Sequence, residues 1–419
     1  MRSPSAACGS AALAVLVLCA AACPAAGGEA SAPWPQFHGP DRTNRSSATG
    51  LLKEWPEGGP PLLWKVTGLG HGFASFSIAR GLIYTTGNAE EQTRITAIGP
   101  NGQVAWRTPN GPAWTHPVPG TRSTPTIDGE RLYHLSAHGD LSCLEADTGK
   151  RGWHVNLLRA FGGRNIQWGL AESVLVDGDR VFAAVGGPEV GLVALDKHSG
   201  SPVWKCTGTA DKPGYTSPIL VEHGGLRQIV TMMASSVVGV HAGTGRLLWQ
   251  VEHETPFDEN ITAPLHTDGH VFVTSRTTGG RLLRLKVDGQ ACAVEEVWAN
   301  ADFDPQHEGV LLLDGYLYGT AMRRKGAWMC LDVRTGRTAW TDDGIGRASV
   351  TWADGHIYAV NHGGRVALVR ASPKAYEEVC TFQLPSGGKG PVWAHPVVVA
   401  GRLYLRHSDT LFCYDVSAK

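Results

Sequence analysis

Four kinds of side chain with binding chemistry stand in this 419-residue sequence at places where its surrounding pattern breaks. Arg122 and Arg347 offer guanidinium forks that suit a carboxylate or phosphate. His307 and His395 offer imidazoles, which exchange protons near neutrality or ligate metals. Glu172, Glu308 and Asn260 carry hard oxygen atoms of the kind calcium takes, and Trp168, Tyr215 and Trp393 present flat apolar faces on which a ring can stack. No short motif binds them into a known catalytic unit. G-x-x-x-x-G-K, G-x-S-x-G, H-E-x-x-H and C-x-x-C are all absent, so nucleotide, serine-hydrolase and zincin chemistries have no foothold. Asp147-Thr148-Gly149 spells an aspartic-protease triplet, but Ser199-Gly200 and Thr335-Gly336 occupy equivalent places. The triplet is a hairpin turn.

What must position these residues is a repeat. Its clearest copy runs Ser123-Thr-Pro-Thr-Ile-Asp-Gly-Glu-Arg-Leu-Tyr-His-Leu135, then Gly139-Asp-Leu-Ser-Cys-Leu-Glu-Ala-Asp-Thr-Gly149, then Trp153. Apolar and polar residues alternate with period two, and the alternation is broken by Asp-Gly and Thr-Gly, as consecutive antiparallel hairpins require. The closing aromatic recurs at Trp106, Trp153, Trp204, Trp249, Trp298 and Trp340, at gaps of 47, 51, 45, 49 and 42 residues. That period is one four-stranded propeller blade, with strands A to D. The A–B turn recurs at Asp128, Asp177, Asp268, Asp314 and Asp354, each followed by glycine. First strands begin near Phe73, Ser123, Ala171, Thr216, Thr262, Gly309, Ala348 and Ala394, which makes eight blades.

The last blade ends at Tyr414-Asp415-Val416, where its fourth strand should begin, and Leu62-Leu63-Trp64-Lys65 supplies a strand with the expected tryptophan. The sequence therefore predicts an all-β, eight-bladed β-propeller of four-stranded antiparallel blades. The N-terminal strand pairs with the C-terminal blade and closes the ring, leaving no open edge. Residues 31–61 read as an extended segment before a propeller over 62–419. Antiparallel order puts the A–B and C–D turns on one face of the disc, and the B–C loops and blade-to-blade D–A connections on the other. All ten residues singled out above fall just before or early in a strand A, around one mouth of the central channel, where B–C loops add His138, Arg276, Arg323, Arg324, His362 and His407.

Lys plus Arg is 37 and Asp plus Glu is 38, a formal net charge of −1, which gives no electrostatic reason to expect a nucleic-acid partner. Residues 1–30 read as a signal peptide: Arg2, then an apolar run over 11–22, then small residues at Ala25, Ala26 and Gly28. The run is too short to span a bilayer, no other segment is apolar enough, and no transmembrane segment is expected. Cys23 follows Ala20-Ala21-Ala22, but the leucine expected three residues before a lipidated cysteine is missing. Export to the periplasm or exterior, without a lipid anchor, is the expectation. Cys143, Cys330 and Cys413 share one third-strand position in different blades, too far apart for disulfides.

The T-G-x-x-x-W repeat, as in Thr148-Gly149 to Trp153, resembles that of the PQQ-like propeller family. That family includes pyrroloquinoline-quinone (PQQ)-dependent alcohol dehydrogenases and an outer-membrane-protein assembly lipoprotein. Trp34-Pro-Gln-Phe-His-Gly-Pro40 resembles the opening of secreted PQQ-like repeat proteins of planctomycete type. The dehydrogenase branch implies PQQ stacked on a tryptophan (Trp168 or Trp393) and calcium held by Glu172 and Asn260, with Asp302 or Asp304 as base. Against it, the adjacent cysteine pair found in many of those enzymes is missing, and the chain is shorter. The assembly branch implies a non-catalytic, monomeric binding or scaffolding module of the cell envelope, docking a protein or glycan at the D–A and B–C loop face. That second reading is the one favoured by the sequence.

Overall fold

Short turns with glycine at positive φ fold the chain back on itself, and each set of four strands hydrogen-bonds as one sheet. The computed structural model describes Met1 and residues 33–418; the signal-like run and Cys23 lie outside the described residues. Eight four-stranded antiparallel sheets follow one another, and their innermost strands are Ser77–Ala79, Thr126–Asp128, Leu175–Asp177, Ile219–His223, Leu265–Thr267, Leu311–Leu313, Ala348–Ala353 and Val397–Val399. The eighth sheet takes its outer strand from the N-terminal side: Leu62–Val66 lies beside Thr410–Asp415, with Trp64 opposite Cys413 and Val66 opposite Leu411. The propeller is closed as the repeat predicts. No helix among the described residues is long and apolar enough to cross a membrane.

The core lies between sheets rather than at a centre. Eight clusters of buried apolar side chains each join two neighbouring blades. All six cysteines among the described residues are free, as expected. The strand D tryptophans tie the blades together a second way. Trp106, Trp153, Trp204, Trp298 and Trp340 each donate an indole N–H to a carbonyl of the next blade. Four of these rings lie over the turn glycine of that blade, so that a Cβ on Gly149, Gly200, Gly245 or Gly336 would fall 2.4 to 2.7 Å from the indole. Trp249 departs from this bonding pattern, and the cause lies in the next blade. Blade five has long outer strands, Gly279–Asp288 and Ala291–Asn300, whose turn projects past that position. Trp249 therefore bonds Gln228 of its own blade. Cys380 takes the tryptophan's place in blade seven, because the next C–D turn is the break between the chain ends.

Buried arginines fasten the ring where repetition does not. Arg406, 1% exposed, donates to the carbonyls of Gly70, Ala74, Thr86 and Ser408 and to Thr85 Oγ1, joining blade eight to blade one. The segment before the first strand is more than a leader. The innermost strands leave backbone groups unpaired toward the channel, and residues 34–46 satisfy them. Trp34 exchanges both backbone bonds with Ile78, and Pro35 accepts from Ile127 N. Arg42 donates to the carbonyls of Ser173, Val174 and Pro218, Asn44 to Val350, and Ser46 to Val398. Those partners belong to blades one, two, three, four, seven and eight.

Candidate functional site: the closed mouth of the channel

Residues 34–46 stopper the channel from within, and above Phe37 and His38 a cavity of about 340 Å³ remains at the D–A mouth. Every one of the eight blade-to-blade connections contributes to its lining, from Phe73 round to Trp393. Seven of the ten residues singled out from sequence line it: Arg122, Trp168, Tyr215, His307, Arg347, Trp393 and His395. Glu172, Asn260 and Glu308 do not. The reason is the two-residue alternation of extended chain. Ala171 and Ser173, Glu259 and Ile261, and His307 and Gly309 face inward, and the residue between each pair turns into the blades.

The lining has two aromatic walls. Trp168 and Tyr215, ring centroids 5.7 Å apart, stand on the side of blades three and four. Phe73 and Trp393, 4.4 Å apart, stand on the side of blades eight and one. Between them lie polar groups. Arg122 donates to the carbonyls of Gly120 and Val118, packs its guanidinium 5.7 Å from the Phe73 ring and has no carboxylate partner among the described residues. Burial pulls its pKa down to about 10, so it remains a cation at neutral pH. On the floor, His38 Nε2 has no hydrogen-bond partner, and neither has the indole N–H of Trp393. Burial, with His395 and Arg42 nearby, holds His38 well below the usual histidine range. His395 donates from Nε2 to the His307 carbonyl and meets Asn44 Nδ2 with Nδ1.

A denser cluster lies at blades six and seven. Glu308, 1% exposed at its side chain, accepts at Oε1 from Arg347 at 2.5 Å and at Oε2 from the Gln306 amide. Burial alone would raise its pKa, but His307, His362 and Arg347 hold it far below the usual carboxylate range. Burial also pulls His307 down to about 3, leaving a neutral imidazole. Of the B–C loop residues, only His362 reaches the cavity. Arg324 instead pairs with Asp302, Arg323 with the Thr277 carbonyl, and Arg276 with Glu259. Sequence reasoning missed Phe37, His38, Phe73, Glu259 and Gln306; the 34–40 motif was the available signal for the first two.

The donor set for calcium and PQQ does not assemble. Glu172 points into its blade, where Oε2 accepts the Ala184 amide. Asn260 spends its amide on the carbonyls of Met233, Ala234 and His253, and its oxygen accepts from Ser275. Asp304 accepts from the amides of Arg323 and Thr277, and Asp302 is held by Arg324. Hard oxygens spread over these separate bonds do not fit one calcium shell.

A closed eight-bladed propeller with an aromatic, basic cavity at one channel mouth defines the class. The family follows from comparison: a family model described as outer membrane protein assembly factor BamB matches residues 91–342, more than half of the chain, and the chain belongs to that PQQ-like family. It is similar to the outer membrane protein assembly factor BamB of Moranella endobia (strain PCIT), at 24% identity over 260 residues, covering 59% of this chain and 64% of that relative. The chain thus spans just under two thirds of that relative's length. Among solved structures it is similar to BamB from Moraxella catarrhalis, with a TM-score of 0.58 and 14% identity, over 84% of this chain and 97% of that one. It is also similar to a europium-containing methanol dehydrogenase, with a TM-score of 0.65 and 13% identity, over 89% of each chain. At such identities these structures share a fold, and enzymes and assembly factors share it alike.

Proposed function

We propose that this protein is an exported, non-catalytic binding module of the cell envelope that takes a protein or glycan ligand at its D–A and B–C loop face. One observation carries the reading: a preformed cavity, floored by the 34–46 segment, sets two aromatic walls about a cation without a carboxylate partner. Trp168, Tyr215 and Trp393 would stack on a sugar ring or an aromatic side chain, and Arg122 would meet an acidic group. The scattered calcium donors favour binding over quinone chemistry. The name of the BamB relatives, an assembly factor, favours a protein as the ligand. The signal-like run over 11–22 supports export, and nothing in the fold demands a second subunit.

In-cell cross-linking of tagged protein tests this reading. A discrete partner should be captured by wild type and lost at least about tenfold in Arg122→Ala and in Trp168→Ala/Trp393→Ala, with melting temperatures unchanged. Undiminished capture by both variants would remove the mouth from docking. Alcohol oxidation that depends on added PQQ and Ca²⁺ would overturn the non-catalytic reading.

A further inference from the structure

Three donor atoms converge at the cavity wall with no bond among them that uses all three. His307 Nε2 and His362 Nε2 are 3.1 Å apart. Glu308 Oε1 lies 3.7 Å from the first and 3.4 Å from the second. Two facing Nε2 atoms can share a single proton, which accounts for the shortest distance. Of the other two, 3.7 Å is too long for a hydrogen bond and 3.4 Å allows only a weak one. An ion at zinc-like bond lengths of about 2.0–2.2 Å and tetrahedral angles would hold its donors roughly 3.4 Å apart. The three distances bracket that value.

We propose that His307, Glu308 and His362 form a divalent transition-metal site of the zinc class, with its fourth position open to the cavity. Two imidazoles and one carboxylate suit zinc, whereas calcium and magnesium take shells of oxygen. Glu308 stands behind the two histidines, and both histidines line the cavity, so the remaining vertex points inward. The frame is stiff: the carboxylate is fixed by Arg347 and the Gln306 amide before any ion arrives. Arg347 also sets the fourth ligand. A dication beside one carboxylate and one guanidinium leaves two positive charges uncompensated, so the open position calls for an anion. A carboxylate of an entering ligand would serve. The site stands on its own donors and does not depend on which partner the module docks.

Chelator-stripped full-length protein should take up one equivalent of Zn²⁺ by calorimetry, and Co²⁺ should give the intense visible absorption of a tetrahedral centre. His362→Ala should weaken Zn²⁺ binding by about tenfold or more. His362 is the safest ligand to remove, because its side chain is 26% exposed. His198→Ala, on an exposed C–D turn of the opposite face, should bind as wild type does. Glu308→Gln should also lose the Co²⁺ spectrum, read on protein whose melting curve shows it folded. Absence of uptake by wild type, undiminished uptake by His362→Ala, or equal loss in His198→Ala would overturn the site. Acetate should change the Co²⁺ spectrum, and a spectrum indifferent to it would overturn the anionic fourth ligand.

Discussion

Glu172 carries its carboxyl where water does not reach, and burial pushes its pKa up to about 8 against the opposing pull of the Ala184 amide and Arg42. The folded protein thus keeps a proton that the unfolded chain releases near pH 4.5. A raised folded pKa contributes stability in full below the unfolded value, and that contribution is lost as pH rises toward 8, at up to about 1.4 kcal/mol per pH unit. Glu172→Gln removes the ionisation and keeps the shape. Denaturant unfolding at pH 5 and pH 8 should show wild type losing more stability than the variant; parallel losses would mean that Glu172 is charged in both. The same residue marks the limit of reading a site from sequence. Topology correctly gathers the starts of all eight inner strands at one mouth. Which of two neighbouring side chains faces the cavity, however, hangs on a one-residue step, and Glu172, Asn260 and Glu308 face away from it.

Blades were legible because their instructions are local. Asp-Gly, Thr-Gly and tryptophan recur within each repeat, and turn, strand and seam can each be read in a short window. The contact between repeats was less visible. Glycine at position 149 is needed for its φ of +70°, but equally because Trp106 of the preceding blade lies over it, 2.4 Å from where a Cβ would stand. Gly129 has a similar φ, +56°, with nothing within 4 Å. The pair separates backbone strain from docking. Gly129→Ala should cost about 1–2 kcal/mol, the price of left-handed backbone in an L-residue. Gly149→Ala should cost about 2–5 kcal/mol, because the indole must also shift. Urea unfolding of both variants measures the difference, and equal losses would sink the docking account.

At the level of the whole molecule, ring closure was predictable from a missing strand at one end and a spare strand at the other. The stopper was not. Residues 34–46 have no period, and their partners are unpaired backbone groups of six different blades, which exist only once the ring has formed. Closure also rests on a residue that no repeat announces. Arg406→Ala would strip partners from four buried carbonyls at the seam of blades eight and one. The expected loss is about 3 kcal/mol or more. Arg406→Lys should restore little of it, since an ammonium cannot reproduce the planar fork. A thermal melt in which lysine rescues fully would show that charge alone holds the seam.

The pairing of Leu62–Val66 with Thr410–Asp415 has a temporal consequence. A ribosome makes the first of these segments long before the second, so the opening strand must wait, unmatched, while seven blades' worth of polypeptide is produced. During that interval its hydrogen-bonding edge is available to any nascent neighbour of the same kind. The ring therefore cannot close before the final strand is made, and a copy released short of it would have seven whole blades but no finished circle.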